Sequence, residues 1–204
     1  MASKPGSKSA FVLFDVIYSD GSRRSNRKVP AEILGGLDGD EPARKVIEEQ
    51  DNEIAKASGS LQLIAGQVAD LEGEGRKISR AQLRYIHERK TSALLACSVR
   101  LGGMSANCTP AQLEALTDFG YHVGLAFQVI DDILDVTQTS EQLGKTAGKD
   151  VKAGKATYPS LVGLEKSRAI AAELTAKAEA ALKPFRGRAV ALEAISDHLL
   201  RRQS

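Results

Sequence analysis

The period of apolar and polar residues changes along the chain. Every second residue from Val12 to Tyr18 is apolar, which is typical of a half-buried β-strand, and a Ser-Asp-Gly turn leads to a second short strand over residues 23–29. From Asp40 onward the apolar spacing becomes helical, and Asp40 is expected to cap a helix that has Pro42 in its first turn. The pattern therefore predicts a β-hairpin followed by a helix, over residues 1–58.

Beyond residue 58 the pattern is helical. Small residues at 57–60 indicate a joint, after which helices are predicted over residues 61–74, 79–101, from 110, from 159, 164–182 and 188–200. We expect Ser79 to cap the second of these helices, and Gly102 and Gly103 to end it. The helix from residue 110 carries one apolar stripe from Leu113 to Leu134. The predicted fold is mostly α, with residues 59–204 as a second, helical unit.

Composition narrows the class of protein. Aromatic residues make up only 4% of the 204, which argues against a β-sandwich or barrel. The net charge is +2, so bulk charge does not favour nucleic acid or an anionic membrane, and no apolar run is long enough to span a bilayer. Cys97 and Cys108 lack the spacing of a metal site. We therefore expect a cytoplasmic protein with neither nucleic acid nor a membrane span among its interactions.

Three aspartates lie at the end of the long helix. Asp131 and Asp135 are one turn apart, and Asp132 and Gln128 extend the same polar strip. Carboxylates at this spacing repel each other and oppose the helix macrodipole, and their apolar neighbours indicate partial burial. Mg²⁺ prefers oxygen ligands and would relieve these costs. The alternative is a solvated acidic surface.

Cations accompany this strip. Four lysines follow it within eleven residues, among glycines: Lys145, Lys149, Lys152 and Lys155. Such a loop suits phosphate, although similar loops are common on surfaces. Lys90 and Thr91 lie within an increasingly apolar helix, where Lys90 either meets a diphosphate or extends to solvent. Gln67 and Asp70 share a face of the predicted helix over residues 61–74, where they are either part of a site or ordinary surface residues.

Five segments together resemble a known family. GQVADL, ERKT, FQVIDDILD, LGKTAGKD and KATYPSLVGLEKSR, in this order, resemble the trans-isoprenyl diphosphate synthases, in particular the geranylgeranyl and farnesyl diphosphate synthases. The resemblance covers roughly residues 59–204 and implies part of an isoprenoid-synthase α-helical bundle. It also implies a Mg²⁺-dependent prenyltransferase of isoprenoid biosynthesis, which condenses an allylic diphosphate with isopentenyl diphosphate.

The resemblance also implies roles for individual residues. Asp131, Asp132 and Asp135 match the family's second aspartate-rich motif and would hold Mg²⁺. The positions matching contacts to the substrate diphosphate are Lys90, Thr91, Gln128, Lys145 and Lys155. Asp150, Gln67 and Asp70 would be supporting residues. Asp131, Asp132 and Lys90 would act in catalysis, which ionises the allylic diphosphate.

One departure from the family leaves several interpretations open. The first aspartate-rich motif does not occur in residues 1–204. The chain could be a prenyltransferase that obtains the missing carboxylates from another chain, as a homodimer or beside a full-length synthase. It could also be a non-catalytic partner subunit of such a synthase. Two weaker interpretations are a synthase remnant joined to an unrelated segment, and a class I terpene cyclase.

Overall fold

The computed structural model describes residues 11–137 and 155–200, so the predicted lysine-rich loop lies outside the described residues except for Lys155. In chain order the described elements are β1 (Phe11–Ile17), β2 (Arg23–Pro30), α1 (Glu41–Ser58), α2 (Leu63–Gly73), α3 (Arg80–His87), a π-helical turn (Glu88–Ser92), α4 (Ala93–Ser105), α5 (Pro110–Thr137), α6 (Tyr158–Val162), α7 (Leu164–Ala181) and α8 (Val190–Leu200). The predicted class, mostly α with a small hairpin and a helix before the bundle, is confirmed.

The hairpin forms where the alternating pattern predicts it. β1 and β2 pair antiparallel, and Gly21 has the positive φ that the Ser-Asp-Gly turn suggested. One face of the hairpin places Phe14 and Val16 against Val29 and Ile47, which form a small core with α1. The hairpin is therefore held by its apolar contact with α1, because two strands alone are marginally stable.

Polar contacts reinforce this docking. The Arg27 guanidinium lies 2.6 Å from Asp51 Oδ1 and donates to Gln50 Oε1 at 2.9 Å. On the other side of α1, Glu53 pairs with Arg100 of α4 at 2.7 Å. Helix α1 thus contacts both predicted units, and the boundary at residue 58, where α1 ends, stays a prediction.

Replacing Arg27 with alanine is expected to lower the free energy of unfolding by about 1–2 kcal/mol, since it removes a partly buried ion pair and its hydrogen bonds. Arg23→Ala is a matched control, because its pair with Asp15 is more than half exposed and such pairs contribute about 0.5 kcal/mol or less. Urea unfolding measures both variants. Equal losses would show that the Arg27 network does not stabilise the hairpin.

Helix α5 is the centre of the bundle. It packs mainly against α4 and α7. Val129 and Ile133 form one core cluster with Leu83, while Phe119 and Val123 form a second with residues near the end of α7. The aspartates at the end of α5 therefore extend directly from the packed core.

Three sequence predictions were wrong. Gly102 and Gly103 do not end the helix, which runs to Ser105, because Gly103 lets Leu113 and Leu116 of α5 approach closely. Asp40 precedes α1 but makes no side-chain cap, since its own backbone is already helical. The single apolar stripe of α5 is a broader buried face: Leu125, Ala126 and Val129 are fully covered, whereas Phe127, Ile130 and Leu134 are partly exposed.

Other expected ends are confirmed. Ser79 begins α3 with a capping box to Gln82, as expected. The helix predicted from residue 159 begins at Tyr158, and Thr157, which the sequence pattern does not single out, makes a capping box with Ser160. No helix within the described ranges is long and apolar enough to cross a membrane.

Candidate functional site

The three aspartates of α5 occupy different surroundings. Asp131 is partly exposed, whereas Asp132 and Asp135 are buried. Asp132 Oδ2 accepts a hydrogen bond of 2.9 Å from the backbone N–H of Tyr158, so it also ties α5 to the start of α6. Asp135 Oδ2 is buried with no hydrogen-bond partner among the described residues. A buried carboxylate oxygen without a donor is costly unless a cation or water meets it.

A cluster of two lysines and one aspartate lies on the neighbouring elements. Asp70 Oδ2 accepts from Lys90 Nζ at 2.6 Å and from Lys155 Nζ at 2.9 Å, and Lys155 also lies 3.2 Å from Glu74. Burial would raise the pKa of Asp70, but the hydrogen bonds from both lysines outweigh it and hold the pKa below its ordinary value. One carboxylate thus holds two ammonium groups side by side, and with Glu74 the cluster carries two positive and two negative charges.

His87 connects this cluster to the aspartates. Its ring is buried against Tyr158, and its Nε2 lies 4.0 Å from Asp132 Oδ2. The charges of Asp70, Lys90 and Asp131 all act on this ring. Burial lowers the pKa of His87 to about 4, so that the ring is neutral at pH 7.

This pKa gives a prediction for acid stability. Unfolded His87 titrates near 6.5 and the folded group near 4, so between these values the unfolded chain binds more protons and stability falls as pH is lowered. The loss is on the order of 3 kcal/mol by pH 4. We expect His87→Leu to flatten this dependence in urea unfolding at pH 7 and pH 5, whereas His122→Gln keeps it. Equal slopes in the two variants would contradict the assignment.

The π turn carries Lys90 and lies between two glycines. A Cβ at Gly66 of α2 would stand 2.5 Å from the Lys90 backbone nitrogen, and a Cβ at Gly124 of α5 would stand 2.5 Å from Ser92 Cα. Only glycine permits these approaches. The sequence pattern predicts one continuous helix over residues 79–101, which is wrong: a wider π turn interrupts it at Lys90 and Thr91.

A Mg²⁺ site on the α5 aspartates is consistent with the donor set but not preformed. Within the described ranges, no three carboxylate, imidazole or thiolate groups are already gathered around one point. Asp131 and Asp135 lie one turn apart, and the unpaired oxygen of Asp135 supplies one hard oxygen donor. Metal binding by these residues therefore stays a prediction.

Comparison with known proteins places the chain. A sequence profile of the family described as Polyprenyl synthetase matches residues 47–186, which is more than half of the chain. The chain belongs to the polyprenyl synthetase family. The match begins at Ile47, within α1, so the family resemblance extends further towards the N-terminus than residue 59.

Named relatives of this polyprenyl synthetase chain agree. It is 47% identical over 154 residues to a chloroplastic geranylgeranyl pyrophosphate synthase of Capsicum annuum, covering 74% of this chain and 42% of the relative. It is 46% identical over 151 residues to a dimethylallyltranstransferase of Fischerella ambigua, covering 74% and 44%. A heterodimeric geranylgeranyl pyrophosphate synthase large subunit of Arabidopsis thaliana is 45% identical over 156 residues, covering 74% and 42%. The chain thus spans less than half the length of these relatives.

Solved structures share the fold. The polyprenyl synthase of Caulobacter crescentus, complexed with calcium and isoprenyl diphosphate, superposes with a TM-score of 0.72 at 29% identity, covering 80% of this chain and 62% of that one. The geranyltransferase of Helicobacter pylori, complexed with magnesium and isoprenyl diphosphate, gives 0.65 at 30% identity, covering 76% and 51%.

Within this polyprenyl synthetase chain, the structure brings some predicted residues together and leaves others apart. Asp70, Lys90 and Lys155 share one cluster. Gln67 is exposed on α2, while Thr91 and Gln128 are partly buried. Lys145, Lys149, Asp150 and Lys152 lie outside the described residues. The sequence pattern gives His87 no role beyond a structural one, and its burial against Tyr158 is consistent with that.

Proposed function

We propose that this chain binds an allylic diphosphate and takes part in its condensation with isopentenyl diphosphate, as in geranylgeranyl and farnesyl diphosphate synthases. One observation carries the proposal. Two lysines converge on Asp70, and His87, whose Nε2 lies 4.0 Å from Asp132 Oδ2, is subject to the charges of both Lys90 and Asp131. A diphosphate with Mg²⁺ needs both ammonium groups and carboxylates.

The lysines act on the leaving group. Lys90 and Lys155 would donate hydrogen bonds to the diphosphate and stabilise the negative charge that grows as the allylic carbon–oxygen bond breaks. Within the described residues, Lys90 donates one hydrogen bond, to Asp70, and an ammonium has three N–H groups. The double bond of isopentenyl diphosphate would then attack the allylic cation, and the released diphosphate would take the proton that is lost.

The α5 aspartates are proposed to hold Mg²⁺. Asp131, Asp132 and Asp135 are the proposed ligands; the buried Asp135 Oδ2 without a hydrogen-bond partner among the described residues supports this, and Asp132 also accepts a hydrogen bond from the Tyr158 backbone. When bound, Mg²⁺ supplies positive charge against the diphosphate oxygens. Thr91, Gln128 and Lys145 are proposed as further diphosphate contacts, and Gln67, Asp70 and Asp150 as supporting residues.

The proposal includes a second chain. The first aspartate-rich motif does not occur in residues 1–204, so we propose that a full-length synthase supplies the complementary carboxylates as a partner, whereas a homodimer of this chain would have to use other carboxylates. One relative is named as the large subunit of a heterodimeric synthase, which supports such pairing. A cytoplasmic location is proposed from the sequence, whereas the relatives from Capsicum and Arabidopsis are named as chloroplastic.

Product formation tests the function. The chain, alone and mixed with a full-length geranylgeranyl diphosphate synthase whose own second aspartate-rich motif has been inactivated, is incubated with Mg²⁺, labelled isopentenyl diphosphate and allylic primers of increasing length. We expect longer prenyl diphosphates whose yield falls at least about 100-fold in Asp131→Ala, since removal of one charge-stabilising group costs about 3 kcal/mol. Asp118→Ala, on the exposed side of α5, is the control. Complex formation without an effect of Asp131→Ala would instead favour a non-catalytic partner subunit.

A further inference from the structure

The wide π turn that carries Lys90 is attached to α5 at its first residue. Glu88 Oε1 accepts from Arg84 Nε at 2.7 Å and from the Tyr121 hydroxyl in a short hydrogen bond. Arg84 also donates to the Tyr121 oxygen at 3.2 Å, so the three side chains close a ring between α3, the π turn and α5. We call Arg84, Glu88 and Tyr121 the latch.

Glu88, the residue of the latch that belongs to the π turn, lies two residues before Lys90. After Glu88 the backbone of the turn is closely packed on two helices, because Gly66 brings α2 against Lys90 and Gly124 brings α5 against Ser92. These glycine contacts hold the middle and the end of the turn, and the latch holds its beginning. A π turn is less stable than an α-turn, so three attachments to neighbouring helices are needed to keep this one in place.

We propose that Glu88 and Tyr121 are positioning residues: their contact sets the π turn and thereby holds the Lys90 ammonium beside Asp70 and Lys155. Neither side chain touches the lysine cluster in the described contacts, so each acts through the backbone of the turn. The consequence for diphosphate binding rests on the proposed function. The effect on Lys90 itself does not.

The charges within the latch support this role. Burial alone would raise the pKa of Glu88, but the hydrogen bonds from Tyr121 and Arg84 outweigh it and hold the pKa below its ordinary value. Glu88 is thus a charged acceptor, and bonds to charged acceptors are the stronger kind. Phenylalanine at 121 would fill the same space without the hydroxyl, so Tyr121→Phe removes the hydrogen bond and keeps the ring.

Two measurements on Tyr121→Phe test the proposal. Lysine labelled with ¹³C at Cε reports the surroundings of Lys90 by NMR, with the signal assigned by Lys90→Arg. Calorimetry with inorganic pyrophosphate and Mg²⁺ reports anion affinity. We expect the Lys90 signal to move towards those of exposed lysines such as Lys56 and Lys177, and pyrophosphate affinity to fall about fivefold, as loss of one net hydrogen bond implies.

Matched variants separate positioning from general stability. Tyr18→Phe removes a similar hydroxyl–carboxylate bond, to Asp51 at 2.8 Å, and is expected to leave Lys90 and pyrophosphate affinity unchanged. Glu88→Gln keeps an acceptor but loses the charge, so its effect should be smaller than that of Glu88→Ala; Glu88→Ala should match Tyr121→Phe, and the double variant should be no worse than either.

The outcomes are distinguishable. An unchanged Lys90 signal in Tyr121→Phe, or an equal shift in Tyr18→Phe, would overturn the inference. If wild-type protein binds no pyrophosphate, the anion site of the proposed function fails, and the Lys90 signal still decides whether the latch positions the lysine.

Discussion

Replacement of Gly66 by alanine is expected to lower the free energy of unfolding by about 3 kcal/mol, the upper end of what overpacking costs. The added methyl group would stand 2.5 Å from Lys90 N and 2.9 Å from Lys90 Cα, which are backbone atoms that cannot rotate away. Helix α2 or the π turn must therefore move, and either movement separates Asp70 from Lys90. Gly124→Ala should behave similarly, because its methyl group would stand 2.5 Å from Ser92 Cα.

Gly102→Ala is the matched control for both variants. It lies within α4 and a Cβ there meets nothing within 4 Å, so alanine should stabilise the helix by about 0.5–1 kcal/mol. Thermal and urea unfolding compare the three. If Gly66→Ala were as stable as Gly102→Ala, α2 would not pack closely on the π turn. The argument that this packing positions Lys90 would then fail.

Lys90→Ala is expected to reduce pyrophosphate affinity about 10- to 100-fold, because a hydrogen bond to a charged group is worth about 1.5–3 kcal/mol. Lys155 still pairs with Asp70 in this variant, so the fold should remain and the thermal midpoint should change little. Lys155→Ala should have a comparable effect on affinity, and the two losses should not add, since both lysines meet the same carboxylate.

The control for these variants is Lys56→Ala, whose side chain is 76% exposed on α1. Calorimetry must be done at one stated salt concentration, because salt screens exposed charges. If pyrophosphate were held only by general electrostatic attraction, every lysine variant would lose the same affinity. A loss in Lys56→Ala as large as in Lys90→Ala would indicate nonspecific attraction rather than a built anion site.

Short-range pattern predicted most of the elements. Alternation over Val12–Tyr18 and the Ser-Asp-Gly turn predicted the hairpin, and the capping residues Ser79 and Thr109 lie where helices α3 and α5 begin. The prediction that the helix ends at Gly103 was wrong because a glycine inside a helix costs only about 1 kcal/mol, and close packing against Leu116 of α5 compensates for this cost. Local helix propensity contains no information about that packing.

The candidate site was only partly readable for a similar reason. The aspartates at 131, 132 and 135 can be recognised from their spacing within one helix. The pair of Asp70 and Lys155 joins residues 85 positions apart, and the π turn at Lys90 depends on glycines of two other helices. Spacing within one segment predicts neither.

The most direct test of the account is calorimetry of pyrophosphate binding in the presence and absence of Mg²⁺, with wild-type chain and Asp131→Asn. If the lysine cluster and the α5 aspartates form one magnesium diphosphate site, affinity should rise at least about tenfold with Mg²⁺, equivalent to about 1.4 kcal/mol, and this gain should vanish in Asp131→Asn while the lysine-dependent part remains. Affinity that is independent of Mg²⁺, or a gain that survives Asp131→Asn, would contradict the account.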